Sequence, residues 1–183
     1  MKELSLNILD ITENSVKAKA TLVEILLTED EEKLTIIIKD NGTGMTEETL
    51  EQVKNPFYTT RTTRKVGMGI PLFQFAAEQT GGGVTIESLH HEVHPDDHGT
   101  TVTALFYKTH IDFTPLGDVV STLTTLIQGH PDIDFVFNHK IESLEVSLDT
   151  RELRGVLEDV PLDNFDVLLW IKGNLEEQYS EII

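Results

Sequence analysis

The chain has 183 residues, enough for one ordinary domain or for one domain with a substantial appendage. Its formal net charge of −18 at pH 7 excludes a general nucleic-acid or anionic-membrane surface, because phosphate groups would be repelled by most of the protein. Cysteine is absent, which excludes disulfides and thiolate metal sites, and no apolar run approaches the roughly 20 residues that span a membrane. We therefore expect a globular, cytoplasmic protein.

The first 108 residues show a pattern of helices and strands around one sheet. Apolar residues in ELSLNILDITENSV recur at helical spacing and predict an N-terminal helix with one buried stripe. Thr46 is a suitable N-cap for a later helix. The other periodic segments are two helices, EETLEQV and IPLFQFAAEQT, and four strands, ATLVEILLTED, KLTIIIKD, VTIESLHH and TTVTALFY. We predict an α+β sandwich with a single sheet for residues 1–108.

A second predicted unit covers residues 109–183. Periodicity predicts a helix between Leu116 and Ile127 and a hairpin in DFVFNHKIESLEVSL. Asp149 and Asp163 are suited to open two further helices, and Trp170 on the last helix is predicted to be a core residue. We expect a small C-terminal α+β appendage that serves as a contact surface for a partner protein or for a second copy in a homodimer.

Asp10 and Asn14 lie four residues apart on the first predicted helix, so their side chains project from one face. An amide oxygen is a suitable hard ligand for Mg²⁺. A neighbouring carboxylate can orient or deprotonate a water or hydroxyl that attacks a phosphate. A solvated polar face is the alternative interpretation of the pair.

Asp40 ends an apolar strand, where a carboxylate is costly unless another group donates a hydrogen bond to it. The exocyclic amine of a purine is such a donor, and Gly42 and Gly44 would let the backbone approach a flat ring closely. Asn41-Gly42 is also a hairpin signal, although the next segment is typical of a helix rather than of a returning strand. Both interpretations of this segment stay open.

The segment NPFYTTRTTRKVGMGIPL, residues 55–72, concentrates positive charge in an otherwise acidic chain. Gly67 and Gly69 precede a predicted helix in which Pro71 suits an early position, and the backbone amides at a helix N-terminus bind anions. The cations beside this helix start are Arg61, Arg64 and Lys65. The segment is therefore predicted to bind phosphates.

Together, the order and spacing of these motifs resemble those of the Bergerat-fold (GHKL) ATPases, which include gyrase, mismatch-repair ATPases, heat-shock chaperones, anti-sigma serine kinases and the catalytic domain of sensor histidine kinases. The resemblance covers about residues 3–107. Its motifs are the N box DITEN, the adenine box DNGTG, the F box NPFYTT, the glycine box GMGI and the final Gly-Thr motif and strand GTTVTALF. The resemblance implies a Bergerat two-layer α/β sandwich, in which a mixed, mainly antiparallel sheet carries helices on one face.

The resemblance also implies the ligands ATP, ADP and Mg²⁺, and a role for each motif residue. Asp40 would meet the adenine amine, Asn14 would bind Mg²⁺, and Thr101 would lie near the adenine side of the pocket. The other residues expected around the nucleotide are Gly42, Gly44, Met45, Phe57, Thr60, Arg61, Lys65, Gly67, Met68 and Gly69.

Two departures from the family pattern bear on the reaction. Four positions before Asn14, hydrolysing members and anti-sigma kinases have glutamate, whereas this chain has the shorter Asp10. If the protein is catalytic, Asp10 is the expected base for transfer of the γ-phosphate to water or to a partner's side chain. Only a handful of residues precede the N box, so we expect no phosphoacceptor histidine domain of a complete sensor kinase and, with it, an ATPase or a kinase of a partner protein. A non-catalytic ATP-dependent sensor or regulatory module is the alternative.

The predicted loop HHEVHPDDH is rich in residues that bind metals. These residues are His90, His91, His94, Asp96, Asp97 and His98. Their spacing matches no fixed metal motif, so we expect a solvated surface loop, with a metal site as the alternative.

Overall fold

The computed structural model describes residues 3–54 and 69–182. These ranges contain every helix and strand that the sequence pattern predicts. In chain order the elements are α1 (Leu4–Lys17), β1 (Leu22–Glu29), β2 (Lys33–Asp40), α2 (Glu47–Lys54), α3 (Gly69–Gln79), β3 (Gly83–Leu89), β4 (Gly99–Tyr107), α4 (Val119–Gly129), β5 (Asp134–Ile141), β6 (Leu144–Asp149), α5 (Thr150–Leu157) and α6 (Phe165–Ser180).

The described strands form one six-stranded sheet in the order β3-β4-β2-β1-β5-β6. Neighbouring strands are antiparallel except β1 and β5, which run parallel, with Leu22 opposite Asp134 and Glu29 opposite Ile141. The sheet is therefore mixed and mainly antiparallel, as expected. The β1–β5 pairing, which the sequence analysis did not predict, places the strands after residue 108 in the same sheet as those before it. The assignment of two units with a boundary at this residue stays a prediction.

One face of the sheet carries the hydrophobic core, because successive side chains of a strand point to opposite faces. The buried strand residues on this face include Val23, Ile25, Leu27, Leu34, Ile36, Ile38, Val102, Ala104, Phe106, Phe135 and Phe137. Helices α1, α3, α4 and α6 cover them, with α1 packed against α3 and α4, and α4 packed against α6. The predicted two-layer sandwich, with helices on one face of the sheet, is confirmed.

Helix α1 is fixed at both ends by backbone hydrogen bonds to distant segments. At its start, the N–H groups of Leu4 and Ser5 donate to the carbonyl oxygens of Pro115 and Leu116, at 2.9 and 2.8 Å. These bonds replace a side-chain cap, which α1 lacks, and satisfy two of the N–H groups that a helix start leaves unpaired. Just after its end, the carbonyl of Ala18 accepts a bond of 2.8 Å from the N–H of Thr43.

Two predictions for the last helix are wrong. Trp170 was expected in the core but is 54% exposed, because α6 covers the sheet with a single stripe of side chains and Trp170 lies beside that stripe. The stripe consists of Val167, Leu168, Ile171 and Leu175. The helix is capped by Asn164 rather than Asp163, since the Asn164 side chain accepts a bond of 2.9 Å from the N–H of Asp166.

Candidate functional site

The end of strand β2 carries a buried carboxylate, Asp40, that is held by three hydrogen-bond donors. Its Oδ2 atom accepts a bond of 2.6 Å from the hydroxyl of Ser15 on α1. Its Oδ1 atom accepts bonds from the backbone N–H groups of Gly42, at 2.9 Å, and Thr100, at 3.3 Å. These donors are all uncharged. Since a carboxylate has about four acceptor positions, Asp40 keeps capacity for one further donor.

Asp40 borders a cavity of about 200 Å³ that lies between α1, α2, the start of α3, the end of β2 and the start of β4. Pockets that enclose drug-sized ligands typically measure about 300 to 1,000 Å³, so this cavity has the size of a ring system rather than of a whole nucleotide. Its apolar walls come from Ile11, Ile38, Met45, Val53, Ile70 and Val102. Its polar lining comes from Asn14, Ser15, Lys17, Asp40, Thr49 and Thr100.

The loop of residues 41–45, which we call the Asp40 loop, requires its two glycines because it packs against protein backbone. A Cβ atom on Gly42 would lie 2.8 Å from the carbonyl oxygen of Ala18. Gly44 has a φ angle of +68°, and a Cβ atom there would lie 1.9 Å from the carbonyl oxygen of Leu89. Gly44 also lines the cavity. The sequence predicted that the backbone at these glycines approaches a flat ring closely. In this structure the same backbone approaches the end of α1 and the end of β3 closely.

Three polar side chains follow one another along α1 beside this cavity. Asn14 and Lys17 line it, and the exposed Asp10 lies one turn before Asn14. Gly69, the first residue of α3, packs on Asp10, because a Cβ atom on Gly69 would lie 3.0 Å from the Asp10 Cβ. The structure therefore brings an amide and a lysine to the cavity, with a carboxylate and a helix N-terminus next to them on α1 and α3.

Four described residues of the predicted site do not line this cavity: Asp10, Gly42, Gly69 and Thr101. Thr100 lines the cavity and its backbone N–H donates to Asp40. Thr101 lines a neighbouring groove, which Asp40 and Thr100 also border. Thr100 and Thr101 face opposite sides of the sheet, because alternate residues of a strand do so. The expected place of Thr101 near the adenine side of the pocket stays a prediction.

Several predicted contacts lie outside the described residues: Phe57, Thr60, Arg61, Arg64, Lys65, Gly67 and Met68. Conversely, the sequence analysis missed Ser15 and Thr100 as partners of Asp40. A signal for Ser15 was available, since it continues the buried stripe of Ile8 and Ile11 at helical spacing. A polar residue in an apolar stripe indicates a buried hydrogen-bond partner.

A second polar cluster lies at the opposite end of β1, around Glu29. Its Oε2 atom lies 3.1 Å from Nζ of Lys108, and its Oε1 atom lies 3.5 Å from Nε2 of the buried His139. Nδ1 of His139 lies 2.8 Å from the hydroxyl of Tyr179 on α6. His139, followed by Lys108, holds the pKa of Glu29 below its ordinary value. Burial, followed by the charge of Glu29, raises the pKa of Tyr179.

Residues 2–110 match the family described as histidine kinase-, DNA gyrase B- and HSP90-like ATPase. Because this match spans more than half of the chain, the protein belongs to that family. The resemblance to the GHKL ATPases is therefore confirmed, and residues 2–110 form an ATPase domain related to those of histidine kinases.

The similar curated proteins include kinases. Sensor histidine kinase CpxA of Escherichia coli (strain K12) is 30% identical over 83 residues, which cover 43% of this chain and 18% of CpxA. Sporulation kinase A of Bacillus subtilis (strain 168) is 30% identical over 108 residues, which cover 59% of this chain and 16% of that kinase. The chain therefore spans less than a fifth of the length of either relative.

Among solved structures, the fold is similar to the Aquifex aeolicus MutL ATPase domain complexed with ADP. The TM-score is 0.53 at 17% identity, and the match covers 98% of this chain and 70% of the MutL chain. This similarity confirms the α+β fold with its mixed six-stranded sheet. Within residues 3–54 and 69–182, no helix combines the length and the apolar character needed to cross a membrane.

Proposed function

We propose that the protein binds Mg-ATP with the adenine in the cavity beside Asp40. The observation that carries this proposal is the state of Asp40, which is 8% exposed, satisfied by three neutral donors and left with acceptor capacity at the cavity. An exocyclic amine can donate to this carboxylate while the apolar walls cover the two faces of the ring. A guanine would present a carbonyl oxygen at the same position, and a carboxylate repels such an acceptor.

The residues along α1 and at the start of α3 support a site for the phosphates and for Mg²⁺. The amide oxygen of Asn14 is a hard donor of the kind that Mg²⁺ accepts. When bound, Mg²⁺ would neutralise part of the phosphate charge. Lys17 supplies a positive charge at the cavity, and the backbone amides that begin at Gly69 suit an anion. The predicted contacts from Arg61, Lys65, Gly67 and Met68 remain part of this proposal.

The proposed reaction is transfer of the γ-phosphate to water or to a side chain of a partner protein. Asp10 is the proposed base, because its exposed carboxylate lies one helical turn before Asn14, which lines the cavity. The kinase relatives favour a partner protein as the acceptor. Residues 109–183 are the proposed docking surface for that partner or for a second copy of the chain, and the proposed location is the cytoplasm.

A non-catalytic ATP sensor is the second candidate function. Two observations favour it: Asp10 is shorter than the glutamate of hydrolysing members, and no other described residue hydrogen-bonds its carboxylate to orient it. Such a protein would bind Mg-ATP, change its affinity for a partner and release no phosphate.

The first experiment is a calorimetric titration of the protein with Mg-ATP, combined with an assay for released phosphate. Binding with a stoichiometry near one supports the adenine site, and a titration without heat at millimolar Mg-ATP, together with an unchanged melting temperature, would contradict it. A ligand at about 100 times its Kd stabilises the folded state by about 2.7 kcal/mol, so the melting temperature is a sensitive second measurement.

An Asp10→Asn variant separates the two candidate functions. If Asp10 is the base, the variant loses phosphate release or transfer and still binds Mg-ATP with an affinity within about twofold of the parent. Turnover equal to that of the parent excludes Asp10 as the base. Tight binding without turnover in the parent, with and without candidate acceptor proteins, favours the sensor.

A further inference from the structure

Residues 90–98 connect β3 to β4, and we call them the histidine loop. This loop packs against the Asp40 loop. Nδ1 of His98 lies 2.5 Å from the carbonyl oxygen of Gly42. The backbone N–H of His91 donates to the carbonyl oxygen of Thr43 at 2.9 Å, and the Nδ1 atom of His91 lies 3.3 Å from that oxygen. Two residues of the histidine loop therefore contact two consecutive carbonyl groups of the Asp40 loop.

The chemistry of the His98 contact fixes its direction. A carbonyl oxygen only accepts hydrogen bonds, so Nδ1 of His98 must carry a proton and donate. Both the neutral Nδ1–H tautomer and the imidazolium satisfy this condition. The next residue reinforces the contact: Gly99 has a φ angle of +136°, and a Cβ atom there would lie 1.9 Å from the backbone oxygen of Asp40.

His98 contacts the peptide group between Gly42 and Thr43, and this group sets the position of Gly42. The His98 side chain binds the carbonyl oxygen of this group. On the opposite side, the N–H of Thr43 donates to the carbonyl oxygen of Ala18 at 2.8 Å. The N–H of Gly42 itself donates to Oδ1 of Asp40 at 2.9 Å. A peptide held from both sides keeps this N–H directed at the carboxylate.

We infer that His98 is a positioning residue for recognition of the adenine ring. Its bond to the Gly42 carbonyl holds the Asp40 loop in the conformation that orients the Asp40 carboxylate towards the cavity. The inference rests on the proposed binding of ATP at Asp40. It gives a role to a loop that the sequence analysis interpreted as solvated surface, and it assigns that role to one of its four histidines.

The loop offers a matched control and a conservative replacement. His94 is an exposed histidine of the same loop, and its side chain forms no hydrogen bond to another described residue. Asparagine at position 98 would place a side-chain N–H donor near the position of Nδ1, whereas alanine removes the donor. The variants are therefore His98→Ala, His98→Asn and His94→Ala.

For each variant, the affinities for Mg-ATP and Mg-GTP are measured by calorimetry, and the melting temperature is measured without nucleotide. His98→Ala should weaken Mg-ATP binding about three- to tenfold and reduce the preference for ATP over GTP, because a loosened carboxylate discriminates less well. His98→Asn should recover most of both properties, and His94→Ala should behave as the parent does.

Hydrogen exchange of the backbone amides tests the contact without nucleotide. The N–H groups of Gly42 and Thr43 should lose protection in His98→Ala and keep it in His94→Ala. Unchanged ATP affinity and selectivity in His98→Ala, or equal losses in His94→Ala, overturn the inference while the proposed function stands. If the parent itself fails to bind Mg-ATP, the proposed function fails and the inference fails with it, whatever the exchange rates show.

Discussion

Two carboxylates at opposite ends of the β1–β2 hairpin, Asp40 and Glu29, have different kinds of surroundings. Asp40 is held by a hydroxyl and two backbone N–H groups and borders a cavity. Glu29 is paired with Lys108 and lies beside His139, which contacts Tyr179 on α6. Neutral donors leave a negative charge available to a ligand, whereas charged partners already neutralise it. The difference suggests a ligand-binding role for Asp40 and a structural role for Glu29.

The largest expected effect comes from Asp40→Asn. The amide can still accept from the N–H groups of Gly42 and Thr100, so the fold should be retained, but the negative acceptor for the adenine amine is lost. A hydrogen bond to a charged group contributes about 1.5 to 3 kcal/mol, so Mg-ATP affinity should fall about tenfold to a hundredfold. Calorimetry measures this fall, and unchanged affinity would remove Asp40 from the adenine site.

The second prediction concerns Glu29→Gln, which is the matched control for Asp40→Asn. This variant leaves Lys108 without its anionic partner and weakens the link from β1 through His139 to α6. We expect the free energy of unfolding to fall by about 1 to 3 kcal/mol, with Mg-ATP affinity unchanged. Urea denaturation and calorimetry measure the two quantities. Nucleotide affinity that falls along with stability would show that the two ends of the hairpin are coupled.

A third prediction follows from the lowered pKa of Glu29. Because the folded-state pKa lies below the unfolded value of 4.5, the ionised carboxylate stabilises the folded protein above that pH. This contribution is lost as the pH falls through the folded-state pKa. The stability gap between the parent and Glu29→Gln should thus be present at pH 7 and narrow below about pH 4.5.

Circular dichroism during urea unfolding, at micromolar protein, measures this gap at each pH. Other carboxylates with lowered pKa values, such as Asp30, Asp118 and Asp149, are present in both proteins and should largely cancel in the difference. A gap that stays constant down to pH 3.5 would show that the charge of Glu29 contributes nothing to stability.

The two ends of the hairpin also differ in how far the sequence predicted them. Short motifs predicted Asp40, Asn14 and the glycines of the Asp40 loop, because each motif contains its chemistry and spacing within one stretch of chain. The Glu29 cluster depends on the parallel pairing of β1 with β5, whose residues are more than 100 positions apart. Periodicity indicates that a strand exists but carries no information about its distant partner.

The failure to predict Thr100 and the wrong prediction for Trp170 have the same origin. A motif match does not say which residue of a strand faces inwards, and a shift of one residue reverses the face. Trp170 was placed in the core on the basis of its size and apolar character, although α6 buries only one stripe. The phosphate-binding residues expected in 55–68 stay a prediction.

The smallest expected effect tests whether the neutral donors around Asp40 matter individually. Ser15→Ala removes the 2.6 Å bond to Oδ2 of Asp40 but leaves the two backbone donors in place. The lost bond orients Asp40 but does not contact the ligand, so Mg-ATP affinity should fall only about two- to fivefold, as measured by calorimetry.

Thr12→Val is the control for this last prediction, because Thr12 lies on the same helix and its fully buried hydroxyl has no hydrogen-bond partner among the described residues. Replacing an unpaired buried hydroxyl by a methyl group should leave affinity unchanged and keep or raise stability. If Ser15→Ala also leaves affinity unchanged, the backbone N–H groups of Gly42 and Thr100 suffice to orient Asp40. The contrast with Glu29 would then depend on the fold of the Asp40 loop rather than on α1.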